Sequence, residues 1–502
     1  MLLESLSQYA HSQPNKTALQ GQSTPLDDAS LSYAQLDMQV VATASALQSQ
    51  LKLSSQSTTV TLAVENHPAW VVVDLAAMAN KIPLVPLPAF FSGAQMRHAI
   101  LDAGANVLIT DNPANFETIF SDLIVNQSTL DVANNTLAIF HLTTPHKKLP
   151  ADTAKVTYTS GTTGNPKGVC LSMDAMLQVA KSISMATNLS TQDRHLCVLP
   201  LSTLLENIAG VYASLLAGAT IHLLSADTVG LNGSTLNIQK MHAALTQSHA
   251  STAILIPELL HALISALESG APHLPHLRFL AVGGASVSPQ LLQRAMQLKL
   301  PVFEGYGLSE SASVVALNSL DAIKIGSVGK PLPHLTLKFS SDHEILVRGA
   351  SLLAYTGEPA LESEDGFINT GDIGYLDEDG YLFINGRKKN IFITSFGRNV
   401  SPEWVERELT NSPLITQACL FGEAKPWNVA VIVPQPNTNA AQIYAAITTF
   451  NQHLPDYARV TKWLTADAPF SVSNQQVTPN GRLKRDMIWR YYQDKINALY
   501  TS

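Results

Sequence analysis

Cysteine is nearly missing from this 502-residue chain: Cys170, Cys197 and Cys419 lie far apart, and none forms a Cys-x-x-Cys pair. So few thiols fit a reducing compartment and exclude a cysteine-built zinc site. The 15 histidines are scattered, and neither His-Glu-x-x-His nor another compact ligand spacing occurs. An excess of positive charge is also lacking. With 31 Lys and Arg against 39 Asp and Glu the net charge is −8, which argues against a nucleic-acid partner held by a basic face. No uninterrupted apolar run reaches about 18 residues, so no transmembrane segment is expected. The first residues carry Glu4 early and no basic stretch, and do not read as a secretory leader. The expectation is a soluble, cytoplasmic protein whose partners are small molecules or a limited protein surface.

Apolar residues are plentiful, 46% of the chain, enough to fill the two or three domains that its length implies at ~100–200 residues each. From about residue 30 to 305, helical-period runs (31–51, 68–79, 204–216, 238–247, 258–267, 289–297) alternate with short β-rich runs (58–64, 106–110, 194–199, 220–224, 252–256, 278–282). Such alternation predicts an α/β architecture of helix-covered, mainly parallel sheets. Between 326 and 385 the texture changes to β segments with turn residues, at 335–339, 343–348, 366–369 and 380–384, which predicts a small antiparallel unit. After the basic run 386–390 come a helix at 402–409, strands at 418–421 and 429–433, and a terminal helix near 486–499. The chain is therefore expected to divide into a large domain, 1–387, and a small α+β domain, 388–502.

The stretch 156–169 leads from a β-branched run into a loop rich in hydroxyls and glycine. Gly161, Gly164 and Gly168 permit a tight backbone that can turn N–H groups onto an anion. Thr157, Thr159, Ser160, Thr162 and Thr163 add donors, and Lys167 adds charge. It is not a Walker A loop, because Pro166 precedes the lysine and Gly168 follows it. A Ser/Thr/Gly cluster by itself also describes an ordinary surface loop; the strand before it and the amphipathic run 171–183 after it point to phosphate binding.

The run Tyr158-Thr-Ser-Gly-Thr-Thr-Gly-Asn-Pro-Lys-Gly-Val169 resembles the signature loop of adenylate-forming enzymes, the superfamily of acyl-CoA synthetases, peptide-synthetase adenylation domains and beetle luciferases. Further motifs follow in that family's order. Gly283, Gly284 and Ala285 resemble its adenine-side loop. In Glu304-Gly305-Tyr306-Gly307-Leu308-Ser309-Glu310, after an expected strand, Tyr306 offers a flat face to a purine, and Ser309 with Glu310 can orient Mg²⁺ and the phosphates. The family usually has threonine where Ser309 stands. Asn369-Thr-Gly-Asp372 and Gly386-Arg387 resemble the pair that holds the ribose, a carboxylate accepting from a diol beside a forked donor. Asp377-Glu-Asp-Gly380 reads only as a hairpin turn. Lys389 falls where the family's hinge residue lies.

The resemblance implies ATP and Mg²⁺ as cofactors, a carboxylic acid as substrate, a fatty acid first and an aryl acid next, acyl-AMP with pyrophosphate as first products, and transfer to a thiol of CoA by a mobile C-terminal domain. The phosphopantetheine of an acyl carrier protein is the alternative acceptor. One motif departs from the family: its members usually end in Asn-Gly-Lys or Ser-Gly-Lys, whereas this chain has Asn480-Gly481-Arg482-Leu483-Lys484. Either Arg482 replaces the catalytic lysine, or Lys484 does, or adenylation is impaired and the chain is a nucleotide- or acyl-binding regulatory relative; the first is the working expectation. Lys167 and Glu310 complete the expected catalytic set. In the substrate region Thr203 stands where long-chain members often have histidine, and the apolar run 208–216 suits either an alkyl tunnel or a plain buried helix. The texture of 386–402 is nearest that of long-chain acyl-CoA synthetases.

Overall fold

The computed structural model describes residues 1–21, 29–51, 58–159, 166–232, 235–285, 287–359, 365–478 and 481–501. Of the expected phosphate-loop residues, Ser160, Gly161, Thr162, Thr163 and Gly164 lie outside the described residues, as does the side chain of Thr159.

Two large sheets organise the N-terminal part. In the nine-stranded sheet, Val302–Tyr306, Phe279–Val282, Thr252–Leu255, Arg194–Cys197, Thr220–Leu223 and Thr17–Gly21 run parallel in that order, with short antiparallel strands at both margins. The eight-stranded sheet is parallel across Thr153–Thr159, Leu84–Pro86, Val60–Ala63 and Val107–Thr110 and antiparallel on either side. Parallel strands need crossovers, and the helices between them cover both faces. Leu196, Val198, Leu280 and Val282 pack under the helices Ile238–Gln247, Pro257–Glu268 and Pro289–Gln297. Cys197, Phe279 and Phe303 face the opposite way, into the core shared with the helix Met173–Ala186.

The expected antiparallel unit is a four-stranded sheet of Thr336–Phe339, Glu344–Arg348, Ile368–Leu376 and Leu382–Arg387. Asp377 Oδ1 accepts from the N–H groups of Asp379 and Tyr381, and Gly380 has φ +79°, which makes this the hairpin turn it reads as. The C-terminal unit packs the helices Pro402–Leu409, Ala440–Asn451 and Arg485–Thr501 on a three-stranded sheet whose core includes Val405, Leu420, Ile432 and Ile443. Among the described residues no helix is long and apolar enough to cross a membrane.

One segment differs from its sequence reading. Within 204–216 the chain winds Glu206–Tyr212 as a π-helix before the α-turn Ala213–Leu216. The wider turn brings the Glu206 carboxylate to His195 Nε2 at 2.8 Å and to the Leu199 N–H at 2.9 Å. It also sets Asn207 and Tyr212 against the fully buried Lys155–Asp74 ion pair, 2.9 Å long. Gly210 makes the turn possible, since a Cβ there would lie 2.6 Å from His195 Nε2.

Candidate active site

Parallel strands end together, and the loops leaving their carboxyl ends enclose a crevice where ligands bind in open α/β sheets. Here that crevice is a cavity of about 1720 Å³, walled by the ends of four strands of the nine-stranded sheet, by the four-stranded sheet, and by side chains of the C-terminal unit. Gly283, Gly284, Ala285, Glu304, Gly305, Tyr306, Gly307, Ser309, Glu310, Asp372, Arg387, Lys389 and Arg482 all line it. Residues far apart in sequence thus share one space.

Its most ordered polar cluster follows from strand register. Asp372 lies directly opposite Arg387 on the neighbouring antiparallel strand, so Arg387 Nε reaches Asp372 Oδ1 at 2.8 Å, while Arg387 Nη1 donates to the Thr370 carbonyl at 2.9 Å. The Tyr306 hydroxyl donates to the other carboxylate oxygen, Oδ2, at 2.6 Å. Burial pushes Asp372 up, and Arg387 and the Tyr306 hydrogen bond oppose it. The Tyr306 phenol is held neutral by burial and by the Asp372 charge. Lone pairs on both carboxylate oxygens remain to accept from a diol.

The glycine turns leave the wall bare of side chains. Gly283 faces the Gly305 carbonyl so closely that a Cβ would sit 3.3 Å from it, and a Cβ on Gly307 would overlap the Ser313 carbonyl. Buried Glu304 braces this wall, its Oε1 accepting from Val287 N–H at 3.3 Å; burial pushes its pKa up to about 8. Ser309 and Glu310 occupy a short 3₁₀ turn, and the Tyr355 hydroxyl donates to Glu310 Oε1 at 3.0 Å. Lys167 is outside the lining: its Nζ pairs with Glu358 at 3.2 Å and lies 4.9 Å from the centre of the Tyr355 ring, which links it to Glu310 through one side chain.

From the C-terminal unit, Arg482 enters the cleft and its Nε donates to the Gly284 carbonyl at 3.1 Å. Desolvation and Arg387 lower its pKa, while Asp372, Tyr306 and Glu310 pull the other way, so the guanidinium stands amid the cluster just described. Lys484 does not line the cavity. Lys389 occupies the 3₁₀ turn Lys388–Asn390 between the two units, and desolvation followed by Arg387 lowers its pKa.

Sequence reasoning missed Glu258. It follows the strand Thr252–Leu255, lines the cavity, and is covered by Gly481, where a Cβ would lie 2.6 Å from Glu258 Oε1; burial raises its pKa. Its position at a strand's carboxyl end was the available signal.

The crevice thus gathers a paired carboxylate, a wall bare of side chains and an arginine of the C-terminal unit into one space. Residues 6–353 match the family described as AMP-binding enzyme, and residues 389–502 match the AMP-binding enzyme C-terminal domain. The chain belongs to that family, the adenylate-forming enzymes. It is similar to a long-chain-fatty-acid–CoA ligase of Mycobacterium bovis, 28% identical with 86% of each chain covered. It is likewise similar to a 2-succinylbenzoate–CoA ligase of Listeria monocytogenes, 28% identical over 78% of this chain and 85% of that one. Among solved structures, the anthranilate CoA ligase AuaEII with anthranoyl-AMP shares the fold at TM-score 0.78 and 17% identity, covering 98% of this chain and 96% of that one. The Bacillus subtilis o-succinylbenzoate CoA synthetase with its acyl adenylate does so at TM-score 0.75 and 22% identity, covering 96% and 97%.

Proposed function

We propose that this protein is an acid–thiol ligase, composed of a core domain, 1–387, and a C-terminal domain, 388–502, that turns about Lys389. Asp372 and Arg387 hold the ribose, the bare wall from Gly283 to Ala285 and the Tyr306 ring bracket the base, and the loop from Thr159 to Lys167 takes the phosphates. The carboxylate on the cavity wall at Glu310, beside the Ser309 hydroxyl, fits a divalent cation: these two would hold Mg²⁺, which when bound offsets phosphate charge. A carboxylate oxygen of the acid attacks the α-phosphorus in line, forming the acyl–O–P bond as the bond to pyrophosphate breaks. Arg482 stabilises the charge that develops there. A thiol then attacks the acyl carbonyl, forming the thioester and releasing AMP. The curated relatives that align over most of this chain are named as CoA ligases, which supports CoA as acceptor; their acids are a fatty acid and an aromatic acid, and the acid proposed here is of those two classes.

The placement of Arg482 on Gly284, beside Asp372 and Arg387, carries the reading. Arg482→Ala is expected to slow acid-dependent pyrophosphate release by about a hundredfold to a thousandfold, while thioester formation from supplied acyl adenylate persists. Lys484→Ala should release pyrophosphate at the parent rate. An Arg482→Ala protein with undiminished adenylation would sink the assignment.

A further inference from the structure

The cavity does not stop at the nucleotide cluster. It continues inward along the face of the nine-stranded sheet that carries Gly283, Ala281, Phe279, Ile254, Thr252 and His195. Register defines its depth. His195 pairs with Thr252 and Thr252 with Phe279 in one cross-strand row, and Gly283, where the wall meets Gly305, lies four residues farther along the same strand direction. At ~3.3 Å per residue this is about 13 Å, and alternation puts these side chains on one face. Beyond the row, Ile183, Thr187 and Leu189 complete the inner end. Behind Thr187 its carbonyl accepts from Arg278 Nη1, and Arg278 is paired with Asp193 at 2.6 Å.

A channel for an alkyl or aryl tail needs only apolar walls, yet this one has a polar pair near its end. His195 Nε2 lies 2.8 Å from Glu206 Oε1, and His195 Nδ1 lies 2.9 Å from Thr252 Oγ1. The carboxylate accepts from Nε2–H, and in the neutral ring Nδ1 then accepts the Thr252 hydroxyl proton. The donor capacity of that hydroxyl is then spent, but its lone pairs are not, and they can accept from a group lying in the channel. The π-turn and Gly210 exist in the geometry that makes this relay, because a side chain at Gly210 would collide with both His195 and Glu206.

We propose that the relay Glu206–His195–Thr252 is a specificity determinant, selecting carboxylic acids that bear a hydrogen-bond donor, a hydroxyl above all, at the end that reaches this row, about 13 Å below the level of Gly283. This rests on the ligase reading. With its carboxyl level with Gly283, an extended acid of about the length of lauric acid places its far end at the row. An ω-hydroxyl there donates to Thr252 Oγ1; a plain methyl covers that oxygen without a partner; an ionised ω-carboxylate, which only accepts, meets lone pairs and loses its water.

The test compares lauric acid with its ω-hydroxy and α,ω-dicarboxylic forms in pyrophosphate release, and measures the shift in melting temperature that each acid produces without ATP. The ω-hydroxy acid is expected to exceed lauric acid in kcat/KM by about fivefold, with the diacid below both and the thermal shifts in the same order. Thr252→Val, which keeps the shape, should bring the hydroxy-to-plain ratio to near one in both readouts, and His195→Leu should do likewise. Equal handling of the hydroxy and plain acids by the parent protein, or a ratio untouched by Thr252→Val, would overturn the proposal. If no acid supports pyrophosphate release, the ligase reading fails, and the thermal-shift order still decides on the channel.

Discussion

Glu304 shows how one side chain couples the site to pH. Its carboxyl is buried behind the glycine wall and its pKa rises from the ordinary 4.5 to about 8. The folded chain therefore holds a proton that the unfolded chain has released across that window, and stability declines as pH rises from the lower value through the upper one. Glu304→Gln should flatten this slope in denaturant titrations run across the window; an unchanged slope would mean that other groups set it. At the same scale, the sequence favoured Arg482 over Lys484 only by its place in the motif, because either cation could reach a phosphate if the loop shifted by two residues. The structure adds a direction for the loop: Arg482 points into the cleft, and Lys484 does not line it. Asp372 and Arg387 were legible as a pair because each sits in a distinctive motif. Their contact with the Tyr306 hydroxyl was not, since it depends on how a strand from one sheet meets a strand from another.

Among the elements, strongly periodic segments were the readable ones: the helix at 402–409 and the parallel strands between 194 and 306 lie where alternation of apolar character places them. The hairpin Ile124–Val132 with Asn135–Leu142 went unread, since its first strand is mostly polar and exposed and its turn, Ala133-Asn134, has no glycine; both turn residues take positive φ instead. The π-helix was unreadable for a different reason. Its apolar spacing is that of an ordinary helix, and what widens it is a buried polar network contributed by strands and helices elsewhere. That network gives the element its stability prediction. Lys155, 2% exposed, is matched by Asp74, Asn207 and Tyr212, so Lys155→Met leaves the Asp74 carboxylate without its cation and is expected to cost about 3–5 kcal/mol. The midpoint of urea unfolding reads this directly; a loss below about 1 kcal/mol would show that Asn207 and Tyr212 suffice for the carboxylate.

For the whole molecule, the proposed pair of half-reactions calls for two arrangements of the C-terminal unit around one cleft. With Arg482 seated on Gly284 that unit closes one side of the cavity; on the proposed mechanism this arrangement serves adenylation, and the thiol step would follow once the seat is vacated. Lys389→Pro restricts the backbone where the swing is proposed. Pyrophosphate release should persist in this variant while thioester formation from supplied acyl adenylate falls at least tenfold; parallel loss of both activities, or of neither, would place the pivot elsewhere.

All three native thiols, Cys170, Cys197 and Cys419, are sealed in the interior. Under native conditions the chain is therefore a silent background for maleimide dyes. A cysteine introduced at Phe396, 74% exposed on the C-terminal unit, would be the sole fast-reacting sulfur there, and a fluorophore on it, paired with a second on the core, would report in single molecules whether the unit moves as proposed during turnover.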